Sequence, residues 1–293
     1  MDERPVRLIT AAQARVAGIS RGMLRSRRYQ RVLGSVYVAS EIPLTLRVRA
    51  EAALSLVPNG VLSHHTALAL WGASGPVDDR LHVSVRRDPK RAKPRVHGLT
   101  VHEVLNLDDQ ILDGLPVSRP ERTFLDLAGG SDLTGLVIAG DSLVRRSPAT
   151  PESLTALATS TAGMRGIRLA RRAATLVRHG VDSPMETRLR LLIVLSGLPE
   201  PAVGHVVLDS DGGWLAKPDL SYPELKIAIE YDGHHHLKDA RQWQRDIRRR
   251  ENLERAGWRV RVITAADLLT APATILARIS TDLHARHLSH LAA

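Results

Sequence analysis

The chain has 293 residues, is 43% hydrophobic and 25% charged, and is too long for one ordinary core, so it reads as a globular protein of two or three units. It contains no cysteine, which excludes disulfides and thiolate metal centres and suits a reducing compartment. A net charge of +10, carried mostly by arginine, points to a polyanionic partner, whereas an aromatic content of 3% argues against a platform that stacks single-stranded bases.

The N-terminus, MDERPVRL, lacks the apolar core of a secretory signal, and no apolar run approaches the ~20 residues that span a bilayer. The expectation is a cytoplasmic protein without membrane association. Residues 8–40 read as helix, turn, helix and hairpin. Thr10 and Gln13 form a capping-box pattern, Gly18 suits the turn, and Ser20 caps a second helix from Arg21 to about Arg28. "RVLGSVYVAS" alternates around Gly34 as a two-stranded wing does. Arg21, Arg25 and Arg28 then share one helical face. In a winged helix-turn-helix such a face enters the major groove, where arginines meet phosphates or guanine edges. A solvated basic face is the structural alternative.

Residues 46–140 read as a mixed α/β unit. Helices are expected over Leu46–Leu56, over "VLSHHTALALWGA" with a serine cap, and over "RPERTFLDLAG" with Phe124, Leu125 and Leu127 inward. "RLHVSV" and "RVHGLTVHEV" alternate like strands, joined by the basic segment "RRDPKRAKPR", read as a phosphate contact or a solvated hairpin tip. His64 and His65 read as surface or capping residues, because no partner is spaced to make them ligands. Residues 141–182 are helical and connecting, with a break at Pro148 and Pro151 and a helix stop at His179-Gly180. Boundaries near 45 and 180 divide the chain into 1–45, 46–180 and 181–293.

The last segment opens with "SPME". Ser183 is the N-cap, Pro184 the first helical residue and Glu186 the N3 residue, a capping box that accounts for Glu186 structurally. "WLAKPDL" and "LKIAIEYDG" then read as antiparallel strands. Side chains alternate along strands, so Lys217 shares a face with Asp219, and Glu230 shares one with Asp232. Pairing brings Asp219 to Glu230. Two carboxylates brought together need a shared proton, a basic neighbour or a cation. A hard divalent ion, Mg²⁺ or Mn²⁺, takes such oxygen ligands.

The order Glu186, then "PD" at Pro218-Asp219, then "IEYDG" at Ile229–Gly233 resembles the PD-(D/E)xK nuclease superfamily. "IEYDGHHH…D..R…GWRVRVIT" is most similar to its Vsr-like (very-short-patch-repair) branch, over about 183–293. That resemblance implies a restriction-endonuclease-like mixed sheet flanked by helices. It implies Mg²⁺ on Asp219 and Glu230, with Glu186 as an accessory ligand or water-positioner. Asp232 stands where the superfamily has its lysine, a departure the Vsr-like branch shares; Lys217 or His236 can take that role. Asp246 with Arg249 or Arg250 matches the "D..R" helix, either as an ion pair or with Arg245, Arg248, Arg249 or Arg250 gripping phosphate. The N-terminal two-thirds, through "VLSHHTALALWGA" and "GLPVSRPERTFLDLAG", more loosely resembles AbiEi-type antitoxins, in which a winged helix binds operator DNA. The combination resembles an arrangement of actinobacterial proteins, with which the arginine-rich composition agrees.

The expectation is therefore an α/β and α+β multidomain chain: a metal-dependent endodeoxyribonuclease with a winged-helix DNA-binding region, acting in repair, defence or toxin–antitoxin control. Double-stranded DNA is the expected partner, with RNA and a protein partner or second copy left open. The alternative is a non-catalytic, antitoxin-like regulator with a degenerate nuclease domain.

Overall fold

The computed structural model describes residues 8–88, 93–233 and 240–291, and for 240–246 and 289–291 the backbone alone. The architecture is mixed α/β with several separate sheets. The chain divides into two compact units, one running to Ala139 and resuming over Arg146–Thr175, the other comprising Gly140–Arg145 and the chain from Leu176.

The first unit begins with β1 (Ile9–Thr10), α1 (Ala11–Val16), α2 (Arg21–Leu24), β2 (Tyr29–Leu33) and β3 (Val36–Ala39). The Thr10–Gln13 capping box forms in both directions, and the Ser20 hydroxyl accepts from Met23 N–H at 3.1 Å. Gly18 and Gly34 take the left-handed φ values of 75° and 53° that their turns require. The three strands order β1-β3-β2, and Ala14, Leu24 and Tyr37 close a small core against the helices. The second helix is shorter than its sequence suggests. It ends at Leu24, with Arg25 as its C-cap, because the Ser26 hydroxyl turns back onto the Met23 carbonyl. The expected helical face of Arg21, Arg25 and Arg28 is therefore not formed.

Helix α3 (Leu46–Leu56) leads to β4 (Val61–Leu62), α4 (His64–Leu70), β5 (Leu81–Arg86), β6 (Leu99–Val104), β7 (Asp109–Leu112), β8 (Leu115–Ser118) and α5 (Pro120–Leu127). The five strands order β6-β5-β4-β8-β7, with β5 parallel to β6 and β4 parallel to β8. Alternating Val and Leu bury Leu81, Val83, Val85 and Val117, and α5 adds Phe124, Leu125 and Leu127. Parallel pairing of β5 with β6 means that residues 87–98 return the chain as a crossover, not as a hairpin tip. Residues 89–92 of that segment lie outside the described residues. Helices α6 (Leu133–Arg146), α7 (Pro151–Ser160) and α8 (Ile167–Ala174) follow, so the last helix stops short of His179.

The second unit contains α9 (Pro184–Leu195), β9 (Ala202–Val203), β10 (Val207–Leu208), β11 (Trp214–Ala216), β12 (Leu220–Tyr222), β13 (Ile227–Asp232), α10 (Ala240–Arg255), β14 (Arg259–Thr264), α11 (Ala265–Thr270) and α12 (Pro272–Leu291). Its main sheet orders β14-β13-β12-β9, with β13 antiparallel to β12 and parallel to β14. Alternation along β13 serves two cores. Ile227 and Ile229 pack with Leu189 and Ile193 of α9 and Ile275 and Ile279 of α12. Ala228 packs on the other face with Leu253 of α10 and with Trp258. The sheet is thus covered on both sides.

Two buried arrangements of opposite charges tie helices into this unit. Arg190 of α9 is fully buried and meets Asp141 of α6 at 2.9 Å, where Thr187 and the Arg178 N–H also donate. Asp282 of α12, equally buried, accepts from Arg259 and Arg261 of β14. Among the described residues no helix is long and apolar enough to cross a membrane.

Candidate functional site

Three carboxylates converge where β12 and β13 pair beside the start of α9. The register Leu220↔Ile229 sets Asp219 at the strand end next to Glu230, and Asp219 Oδ2 accepts the Tyr231 N–H at 2.8 Å. Burial pushes the Asp219 carboxyl up, and the negative charge of Glu230 pushes it further. Burial raises Glu186 as well, with Asp219 adding to the shift. Asp219 thus feels the charge of Glu230, and Glu186 that of Asp219, but the three carboxylates do not bring one ligand atom each within 4.8 Å of one another.

Glu186 takes up only half of its expected cap. Ser183 Oγ accepts the Glu186 N–H at 3.2 Å, but the Glu186 carboxylate reaches past the N-cap to the Asp182 N–H, at 2.8 Å. Lys217 also departs from expectation. Its ammonium pairs with Asp182 at 3.5 Å, so it braces the start of α9. Asp182 is a member of the cluster that sequence reasoning missed: its charge raises both Glu186 and Asp219. Its only sequence signal was its place one residue before the N-cap.

The opposing charge comes from α10. Arg249 Nη2 donates to Glu230 Oε2 at 3.0 Å, and among the described residues its Nε has no partner. This places one arginine of the "D..R" helix on the cluster, while Arg248 and Arg250 are exposed. The side chains of Arg245 and Asp246 lie outside the described residues, as does His236. Asp232 ends β13 opposite Thr264. Arg21, Arg25 and Arg28 are all exposed on the N-terminal helices and the turn that follows them.

Among the described residues, the groups of three or more histidines and carboxylates that bring one ligand atom each within 4.8 Å lie elsewhere, in the first unit: His64, His82 and His102, and His65, Asp78 and His82. The reading of His64 and His65 as surface or capping residues is corrected. Ser63 does not cap α4 with its side chain, because its hydroxyl accepts from Ser84 at 2.8 Å and faces His64 Nδ1 at 3.0 Å. His64 stacks on His102 with ring centroids 3.6 Å apart, and His82 Nδ1 lies 2.9 Å from His102 Nε2. Burial, helped by the neighbouring rings, lowers His64 to about 2 and His82 and His102 each to about 4. Beside them burial raises Asp126 to about 6 against the pull of Arg122, 2.8 Å away.

No family model matches the chain. It is 28% identical over 256 residues to Uncharacterized protein MT2308 of Mycobacterium tuberculosis (strain CDC 1551 / Oshkosh), covering 86% of this chain and 92% of the relative. The same identity and coverage hold for Uncharacterized protein Rv2248 of Mycobacterium tuberculosis (strain ATCC 25618 / H37Rv). Among solved structures, the RV2827C protein from Mycobacterium tuberculosis is similar, with a TM-score of 0.39 and 16% identity over 71% of this chain and 85% of that one.

Proposed function

We propose that the chain is a cytoplasmic, Mg²⁺-dependent DNA endonuclease whose N-terminal helices and hairpin act as a winged-helix DNA-binding region. The observation that carries this reading is the meeting of Asp219 and Glu230 at the paired ends of β12 and β13, with Glu186 within electrostatic reach. The donor chemistry suits a hard cation, since all three groups offer oxygen and a bound ion would relieve the repulsion that raises Asp219 and Glu186, with the carboxylates drawing together on it. Asp219 and Glu230 would hold the ion, which would supply Lewis-acid activation of water and charge neutralisation at phosphate. Glu186, fixed by the Asp182 N–H, positions water or metal. Arg248, Arg249 and Arg250 supply phosphate contacts, and the exposed Arg21, Arg25 and Arg28 contact duplex DNA. Lys217, drawn to Asp182, assists through that carboxylate rather than at the phosphate, leaving the superfamily lysine's role to His236.

One observation favours a second reading, a DNA-binding regulator of antitoxin type. Arg249 occupies Glu230 in the way a cation would, and Asp232 stands at the lysine position. Plasmid nicking with Mg²⁺ or Mn²⁺, against an EDTA control, separates the two. Metal-dependent nicking supports the nuclease; duplex binding with no cleavage of DNA or RNA under either metal supports the regulator.

A further inference from the structure

The histidine cluster of the first unit has no part in that reading. Its members come from α4, β5, β6 and the loop before β5, and His82 is at its centre with only 3% exposure. One nitrogen of His82, Nδ1, is engaged with His102 Nε2 at 2.9 Å. The other, Nε2, is buried without a well-formed hydrogen bond among the described residues, and Asp78 Oδ2 lies 3.2 Å from it as its ion-pair neighbour, drawing the His82 pKa upward. His65 Nδ1 is a second buried nitrogen without a partner among the described residues. His65, Asp78 and His82 bring one ligand atom each within 4.8 Å.

Orphaned buried polar atoms are costly unless something satisfies them. If His82 donates its Nδ1–H to His102, its Nε2 lone pair faces the carboxylate of Asp78, an arrangement that repels unless a positive centre lies between. A metal-bound histidine commonly donates its other ring N–H to such an outer partner. We infer that His65, Asp78 and His82 form a site for a divalent transition-metal ion of the zinc class, with His102 as the positioning residue behind His82. Two imidazoles and a carboxylate are a ligand set that Zn²⁺ accepts, leaving a position for water.

The competing triad of His64, His82 and His102 is poorer. His64 and His102 are stacked at an interplanar angle of 13°, so their in-plane lone pairs run side by side, whereas His65 and His82 are inclined at 49°. Arg80 grips Asp78, with Nη2 at 2.6 Å from Oδ2, which keeps the carboxyl ionised and fixes its direction.

The test uses the untagged full chain with His234, His235 and His236 replaced by alanine, so that the adjacent histidines there add no binding. After EDTA treatment and dialysis, Co²⁺ is titrated while visible ligand-field absorption is followed, and Zn²⁺ is titrated by calorimetry. We expect one ion per chain, with affinity weakened at least ~10-fold in each of His65→Gln, Asp78→Asn and His82→Gln, the lower end of what even an outer-partner loss costs a metal site. His64→Gln is expected to leave stoichiometry and affinity unchanged. The partly exposed His65 and Asp78 keep the test decisive if His82→Gln fails to fold, as checked by circular dichroism. Absence of stoichiometric binding overturns the site, as does binding that survives His65→Gln and Asp78→Asn or is lost in His64→Gln.

Discussion

The two units bury titratable groups differently at their main clusters, although the first unit also pairs one buried carboxylate with a guanidinium, Asp126 with Arg122. The second unit keeps charge and answers it with guanidinium: Asp141 with Arg190, Asp282 with Arg259 and Arg261, Glu230 with Arg249. The first unit collects His64, His82 and His102 and suppresses their charge by burial. Paired charge resists removal of either partner, whereas neutral imidazoles resist acid poorly but stand ready for a metal. Within the second unit the carboxylate cluster has one guanidinium, Arg249 on Glu230, and burial raises Glu186 and Asp219 as it does Asp141.

The contrast can be broken most severely at Arg190. Asp141→Ala leaves a fully buried guanidinium with only Glu200, at 3.5 Å, as its carboxylate partner among the described residues. We expect a loss of about 3–5 kcal/mol, the usual consequence of stranding one member of a buried pair, read as a lowered urea midpoint. A loss near zero would mean that this pair is not what secures α9.

At the acid cluster the contrast is sharpened by Glu186→Gln. Glutamine can still accept the Asp182 N–H, so melting should hardly move, while cleavage should fall at least ~10-fold through loss of a charge that positions metal or water. Full activity in that variant would assign Glu186 to the helix start alone.

Acid should separate the units. In EDTA, His64, His82 and His102 have folded pKa values below their unfolded value of 6.5, so at these residues the unfolded chain gains protons first. The stability these histidines contribute is complete above pH 6.5 and declines as pH falls toward about 4, opposed in the same unit by the raised carboxyl of Asp126. Asp219 and Glu186 are raised, so falling pH protonates them first in the folded state and favours it. Hydrogen exchange followed peptide by peptide between pH 7 and pH 5 should show protection falling around β5 and β6 and holding around β12 and β13. Equal decline in both would refute the contrast.

The smallest effect belongs to the exposed arginines. Arg21→Ala or Arg25→Ala should weaken duplex binding modestly and lower the steepness of log affinity against log salt by about one for each phosphate the arginine neutralises. An unchanged slope would remove that residue from the DNA interface.

Local rules made much of this legible in the sequence. The caps at Thr10 and Ser20, the turn glycines, and the alternation of Ile227, Ala228 and Ile229 depend on near neighbours, and the structure has them. The approach of Asp219 to Glu230 followed from one hairpin register. The histidine cluster was not legible, because it depends on the parallel pairing that sets Ser84 opposite His102 and on the return of the chain over residues 87–98. Nothing local distinguishes His82 in "RLHVSV" from a solvent-facing residue of a strand. The end of α2 at Leu24 was missed for a related reason: Ser26 captures a backbone carbonyl that helix periodicity alone leaves to the next turn.

If the carboxylates at the ends of β12 and β13 serve cleavage and not only folding, neutralising them should abolish the one and spare the other. The direct measurement compares the chain with its Asp219→Asn/Glu230→Gln variant, nearly isosteric, in duplex binding, melting and Mg²⁺-dependent plasmid nicking. We expect unchanged binding, a melting temperature preserved or raised by relief of repulsion, and nicking reduced at least about a hundredfold. Nicking at the original rate by a folded variant, or none by the unaltered chain under Mg²⁺ or Mn²⁺, would contradict a catalytic role for this cluster.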